Sequence, residues 1–437
     1  MRHIDDIAAK VRRAERIDDA EAARLWREAP LWLLGELATA AKQRVSGDKV
    51  YYNRNFHIEP TNRCVFNCRF CSYRRPAGDP EAWDYTMDEI EQIARERQGK
   101  GITEVHIVGG VHPDHGLDYY TDMIRRVKAI LPGAAVKAFT AIELSYMIRK
   151  AGLTTEEGLR QLKQAGMDAI PGGGAEIFDE RIRQRICPEK GSTAEWLGVH
   201  EAAHRLGIPT NATILYGHVE ELRHRIDHLR RLRELQDLTG GFNAFIPLKY
   251  RNFGNPMSEI GEVSVIEDLR MLAMSRIYLD NIPHIKAYWV MYGKATTELA
   301  LAFGADDIDG LGHANNAVYV SWLERCAWRH SQHLGLDLAE YRRLDRAMAV
   351  LRHEIDYLAS AYEGEELQMA TWIVESDHKL KMTRRFQLWR PSDATTLLRA
   401  QTTFVCIELS TGKPRRMPAE FVEGYGQALL EPYPLQL

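Results

Sequence analysis

The sequence predicts an α/β protein: a (β/α)8-type barrel with N-terminal helices, followed by a separate α+β domain. Three observations carry this. Strand-like apolar segments alternate with helices of 3.6-residue apolar period, eight times within residues 51–310. Several of those strands end in glycine or polar residues, at Gly109–Gly110, Gly172–Gly174 and Tyr216–Gly217–His218, where such a barrel carries its active site. After residue 317 the pattern changes to one long amphipathic helix and then long alternating runs.

In chain order, residues 1–50 read as two amphipathic helices that pack on the barrel. "IDDAEAARLW" opens with acidic residues suited to a helix N-terminus, and "APLWLLGELATAAKQR" follows with a strong apolar face. The barrel spans 51–310. Its strands are "NFHIEPT", "ITEVHIVGG", "AAVKAFT", "MDAIPGG", "TNATILYG", "FNAFIPL", "HIKAYW" and "ADDID". Helices such as "TMDEIEQIARERQGKG", "YYTDMIRRVKAIL" and "SVIEDLRMLAMSRIYLDN" separate them. The third region, 311–437, holds the helix "AVYVSWLERCAWRHSQHLG" and the strands "RAMAVLRHEIDYL", "ELQMATWIVES", "LKMTRRFQLWR", "TTLLRAQTTFVCIEL" and "RRMPAEFV". Turn signals such as "RPSD" and "STGKP" split them.

Bulk properties exclude several classes. A net charge of −4 gives no polyanion-binding surface, so no nucleic-acid partner is expected. No apolar run approaches the ~20 residues that span a bilayer, so no membrane partner is expected. The charged start "MRHIDDIAAKVRRAERIDD" lacks the apolar core of a secretory signal, which leaves a cytoplasmic location as the expectation. Of six cysteines, Cys187, Cys326 and Cys406 are scattered and read as buried apolar filler.

The other three are grouped as Cys64-x3-Cys68-x2-Cys71 in "EPTNRCVFNCRFCSYRR", directly after the first barrel strand. Three thiolates on one short loop can hold three irons of a [4Fe–4S] cluster and leave the fourth open. Zinc would close with four ligands, and no fourth Cys or His sits at zinc-finger spacing. The motif resembles that of the radical S-adenosylmethionine (SAM) enzymes. The resemblance implies a [4Fe–4S] cluster on Cys64, Cys68 and Cys71, SAM as co-substrate, and Phe70 beside the adenine. Under it, Gly109 and Gly110 let carbonyls approach the SAM ammonium, the alternative being a plain turn. Glu143 and Glu176 accept from ribose hydroxyls or polarise substrate, or else are solvated loop carboxylates. His218 is a catalytic candidate or a capping histidine.

"VHIVGGVHPD", "VKAFTAIEL", "IPGGGAEIFDERIRQRICPEK", "TNATILYGH" and "HIKAYWVMYGK" narrow this further. Residues 1–310 resemble the aminofutalosine synthases of the futalosine menaquinone pathway. The implied reaction adds a 5′-deoxyadenosyl radical to 3-[(1-carboxyvinyl)oxy]benzoate, an aromatic enolpyruvyl ether, giving aminodeoxyfutalosine. An external electron donor of flavodoxin or ferredoxin type is implied. His112, Arg183, Lys190 and His218 are candidate donors to the two substrate carboxylates. The related dehypoxanthine futalosine cyclase is the alternative.

"DDIDGLGHANNAVYVSWLER" resembles the front of the hotdog-fold acyl-CoA thioesterases through Asp307, Asp309, Gly312, His313, Asn315, Asn316 and Tyr319. The resemblance implies Asp309 as catalytic carboxylate supported by His313 and Asn316, acyl-CoA as ligand, and a homodimer through this domain. Helix capping is the other reading of "GHANN", and a thioesterase with a vestigial barrel the other reading of the whole. The barrel has the stronger local claim on "ADDID", because the helix "TTELALAFG" feeds into it. The expectation is that the stretch closes the barrel and that thioester hydrolysis is weak.

Overall fold

A computed structural model describes residues 4–76, 78–309, 316–359, 361 and 365–430. It divides into two compact units, Met1–Leu311 and Gly312–Leu437.

The first unit is a parallel barrel. Strand β1 (Tyr51–Asn53) runs into β2 (Asn55–Ile58) with only Arg54 between them. β2 pairs with β3 (Glu104–Ile107), which pairs with β4 (Ala135–Ala138). Isolated bridges Lys137↔Ala169 and Ile170↔Thr210 then carry the sheet to β5 (Thr210–Tyr216). From there β6 (Phe242–Lys249), β7 (His284–Ala287) and β8 (Asp307–Asp309) follow. β8 returns to β1 in the register Tyr51↔Asp307, Tyr52↔Ile308, Asn53↔Asp309. The segment 51–58 therefore bonds β8 on one side and β3 on the other, and the ring closes. The expected fourth strand at "MDAIPGG" is reduced to two bridged residues. β5 is buried along its whole length, as a strand of a parallel sheet covered by helices requires.

Closure rests on a buried ion pair. Arg276, on the helix Val265–Tyr278, donates to Asp306 Oδ1 at 2.6 Å; the two side chains are 2% and 0% exposed. The same guanidinium donates to the carbonyls of Gly304 and Pro283. Asp306 also accepts from Ile285 N and faces His284 Nδ1, and its carbonyl accepts from Tyr51 N. One carboxylate thus sets the start of β8 against both neighbours. Gly304 has φ +90°, and a Cβ there would lie 2.7 Å from Arg276 Cβ.

Three helices, not two, precede the barrel: Ile4–Arg12, Asp19–Glu28 and Leu31–Ser46. Pro30 is extended and separates the last two, since it cannot continue a helix. Arg270 donates to the carbonyls of Trp26 and Ala29 and ties this region to the barrel.

In the second unit the long helix Asn316–His333 packs on a four-stranded antiparallel sheet, order β10-β11-β12-β9. Its strands are β9 (Arg346–Tyr357), β10 (Gln368–Ser376), β11 (Lys381–Arg390) and β12 (Thr395–Glu408). Leu323 and Ala327 of the helix bury against Phe386, Leu388 and Leu398. "RRMPAEFV" forms no strand. Pro418 instead starts the helix Ala419–Gln427, whose Phe421 and Tyr425 enter the core. Among the described residues no helix is long and apolar enough to cross a membrane.

Burial alone would raise the Asp306 pKa, but His284, Arg276 and the Ile285 amide hold it below its usual value. A depressed carboxyl contributes stability above its unfolded pKa and loses it as pH falls. Asp306→Asn, which strands a buried guanidinium, is expected to lower stability by about 3–5 kcal/mol in urea unfolding at neutral pH. It should also flatten the loss of stability below about pH 4. An unfolding midpoint equal to wild type would contradict this role.

Candidate active site

The loop after β2 brings Cys64, Cys68 and Cys71 around one cavity of about 130 Å³, which Phe66, Phe70, Gly109, Gly110, Thr140, Glu143 and Lys190 also line. Backbone bonds seat the loop: Val65 N donates to Val111 O at 2.9 Å and Arg69 N to Ile186 O at 2.8 Å. All three thiols are free and half-buried. Among the described residues the three-ligand set within 4.8 Å of one another is Asp84, His112 and His115. The cysteine sulfurs are thus spread too widely for a single ion. Three thiols around a cavity, shielded by Phe66 and Phe70, fit a cluster in which each sulfur takes its own iron.

The two glycines have a packing role. A Cβ on Gly110 would lie 2.2 Å from Arg63 O, and one on Gly109 would lie 2.9 Å from Thr61 O. Their bare backbone lets the cysteine loop pack onto the end of β3. Glu143 accepts from Gly109 N at 3.0 Å and Thr140 N at 2.7 Å, so it braces that strand end from within the cavity wall. Burial raises its pKa to about 7.

Glu176 is buried at φ +50°, in the left-handed region that non-glycine residues rarely adopt. Its Oε1 accepts from Lys190 Nζ at 2.6 Å, and its carbonyl accepts from Leu215 N. Lys190 faces the Phe70 ring at 5.6 Å, so Glu176 acts on the cavity through this lysine. Cys187 is buried in the barrel core, with its thiol close enough to Cys68 to perturb it. Cys406 is core filler in the second unit, and Cys326 is half-buried.

Three sequence candidates are corrected. The His218 ring is enclosed, with Nε2 facing Leu215 O at 3.0 Å and Nδ1 accepting from Val219 N, and it lines neither barrel cavity. Arg183 is 1% exposed and spends its guanidinium on the carbonyls of Ala175, Ile177 and Gly191. His112 is buried, and its Nδ1 accepts from Asp114 N, which leaves the ring proton on Nε2 against Asp84. His218 and Arg183 are not free to hold a substrate carboxylate, and His112 Nε2 is buried 3.3 Å from Asp84 and lines neither barrel cavity. His313 lies outside the described residues, and Asp309 and Asn316 are described in backbone only.

A second barrel cavity, of about 280 Å³, fills the lumen and shares Thr140 with the cysteine cavity. It presents Lys137, 2.6 Å from Glu104, and Lys286, 3.8 Å from Asp307. Asn55, His57, Glu59, His106, Asn211, Thr213 and Tyr288 add to its polar wall. Sequence reading missed these lysines. The signal was present in "VKA" and "IKA", each with a lysine inside an otherwise apolar strand.

Comparison with known proteins agrees with this geometry. The Radical SAM superfamily matches residues 58–232, and the CofH/MqnC C-terminal region matches 239–325. Aminodeoxyfutalosine synthase of Thermus thermophilus is 44% identical over 308 residues, covering 70% of this chain and 83% of the relative. The chain belongs to the radical SAM superfamily. Among other radical SAM relatives, aminodeoxyfutalosine synthase of Streptomyces coelicolor is 40% identical, covering 70% and 81% of the two chains. Cyclic dehypoxanthine futalosine synthase of the same organism is 37% identical, covering 69% and 77%. Methylornithine synthase shares the radical SAM fold, with TM-score 0.58 and 17% identity over 69% of this chain and 85% of that one. The Thioesterase-like superfamily matches 303–424, and the second unit of this radical SAM enzyme is a hotdog-type domain. That match overlaps the CofH/MqnC region at residues 303–325.

Gly110→Ala should displace the cysteine loop, because its Cβ meets backbone rather than a movable side chain. The expected cost is about 1–3 kcal/mol of stability, together with faster iodoacetamide labelling of Cys64, Cys68 and Cys71. Labelling rates equal to wild type would contradict the packing role.

Proposed function

We propose that this chain is an aminodeoxyfutalosine synthase, which adds the 5′-deoxyadenosyl radical to the enolpyruvyl double bond of 3-[(1-carboxyvinyl)oxy]benzoate, with rearrangement and loss of the carboxylate. A [4Fe–4S] cluster on Cys64, Cys68 and Cys71 supplies, when bound, the electron that cleaves SAM, and a flavodoxin- or ferredoxin-type protein replenishes it. Phe70, Gly109 and Gly110 line the cysteine cavity and would border SAM bound there. Lys190 is held by Glu176 and places a cation at its wall.

The observation that carries the reading is the lumen cavity, which meets the cysteine cavity at Thr140 and holds two lysines. The substrate has two carboxylates. Lys137 and Lys286 sit within β4 and β7 and can each take one, while Glu104, 2.6 Å from Lys137, and Asp307, 3.8 Å from Lys286, orient them.

For the second unit we favour a homodimer over robust thioester hydrolysis. Asp309 lies in β8, paired with Asn53, and this supports barrel use of the residue that a thioesterase would need. The 12-residue edge strand β9 exposes Val350, Leu351 and Tyr357, an edge that a second copy can cover.

The test uses anaerobically reconstituted enzyme and SAM labelled in its adenosine. Label is expected in a nucleoside adduct of the benzoate, formed with methionine. Stoichiometric free 5′-deoxyadenosine beside an unlabelled main product would indicate the cyclase instead. Cys68→Ser should lose both the cluster absorption and SAM cleavage. Lys286→Met should keep both and raise KM for the benzoate by at least about tenfold; an unchanged KM would remove Lys286 from the substrate site.

A further inference from the structure

The second unit contains a cavity of about 280 Å³ between the long helix and the sheet, separate in chemistry from the barrel sites. Its wall is mostly apolar, with Ala327, Trp328, Met382, Phe386 and Phe404. Set into that wall is Arg384, only 1% exposed. One guanidinium nitrogen donates to His330 Nδ1 at 2.8 Å and another to Ser331 Oγ at 2.9 Å. The Tyr425 ring lies 5.5 Å away, and the Tyr425 hydroxyl continues the network to Ser331 at 3.1 Å and to Tyr341. Every one of these partners is neutral. Glu324 lines the same cavity but is exposed, and it makes no ion pair with Arg384. Among the described residues no carboxylate lies within ion-pair distance of this guanidinium.

A buried guanidinium cannot shed its proton, and in folded proteins buried charges are paired. Of the other buried arginines, Arg276 has its aspartate at 2.6 Å and Arg225 its Glu220 at 2.7 Å, while Arg183 is enclosed by three backbone carbonyls and lines neither barrel cavity. Arg384 instead has hydrogen-bond acceptors that hold it in place and a cavity of ligand size before it. Neutral acceptors fix its direction without cancelling its charge, as expected of an anion site kept ready. Stability alone would be served as well by an apolar residue in this wall.

We propose that this cavity binds a small organic acid, with its apolar body against Trp328 and Phe386 and its carboxylate on Arg384. The inference concerns the hotdog-type unit alone and stands whether or not the barrel makes aminodeoxyfutalosine. It gives the unit a ligand without requiring Asp309 or any hydrolytic step.

The test is calorimetric titration of the full-length protein with 2-naphthoate and with its neutral isostere 2-naphthamide. One 2-naphthoate per chain is expected, bound at least about tenfold more tightly than the amide. Arg384→Met should reduce acid binding by at least about tenfold. Ala327→Phe, which fills the cavity and leaves Arg384 in place, should do the same and covers the case in which Arg384→Met fails to fold. Lys286→Met, in the barrel lumen, should leave acid binding unchanged, so loss there alone would assign the ligand to the barrel and overturn the proposal. Equal binding of acid and amide, no binding tighter than about 1 mM, or full binding by both cavity variants would also overturn it.

Discussion

The buried pair Arg276–Asp306 is the constraint on which the barrel depends. It fixes a carboxylate with no exposure at the point where the chain turns into β8. Placed there, Asp307, Ile308 and Asn53–Tyr51 come into register, and the ring closes. Closure makes one end of the strands a site. It encloses Lys137 and Lys286 in a single lumen and sets that lumen beside the cysteine loop at Thr140. The pair also decides ownership. Residues 306–309 lie within the stretch, 303–325, where the two family patterns overlap, and their backbone pairs with barrel strands.

Much of this was legible in the sequence because it is periodic. Apolar runs alternating with amphipathic helices specify a parallel barrel without reference to any single residue, and the cysteine spacing is local. What escaped depends on closure or on contacts distant in sequence. Lys137 and Lys286 are unremarked lysines until the ring places both inside. Cys187 comes beside Cys68 only when its loop is folded. The strand at "MDAIPGG" shrinks to two bridged residues, although its residues suit a strand. The segment "RRMPAEFV" alternates weakly, yet Pro418 starts a helix there, because proline costs nothing at a helix start and removes a donor from a strand.

Residue type and residue role also came apart. His218, Arg183 and His112 have the chemistry of substrate donors, but each is spent on neighbouring backbone or on Asp84. Gly109 and Gly110 line the cysteine cavity. Their absent side chains make room for the cysteine loop itself. In the hotdog-type unit, giving 306–309 to the barrel leaves a four-stranded sheet with an exposed apolar edge on β9 and a cavity with an uncompensated arginine. These features are the basis of the ligand-binding and dimer-forming roles proposed for the unit.

The assignment of the shared stretch is tested most directly at Asp309. Asp309→Asn should be assayed in one preparation for acyl-CoA hydrolysis and for the radical SAM product. The present account predicts negligible hydrolysis in wild type, across aryl- and acyl-CoA esters, and no change in the variant. Robust hydrolysis in wild type that falls by several orders of magnitude in Asp309→Asn, while the radical product persists, would contradict it, since an amide cannot serve as base or nucleophile.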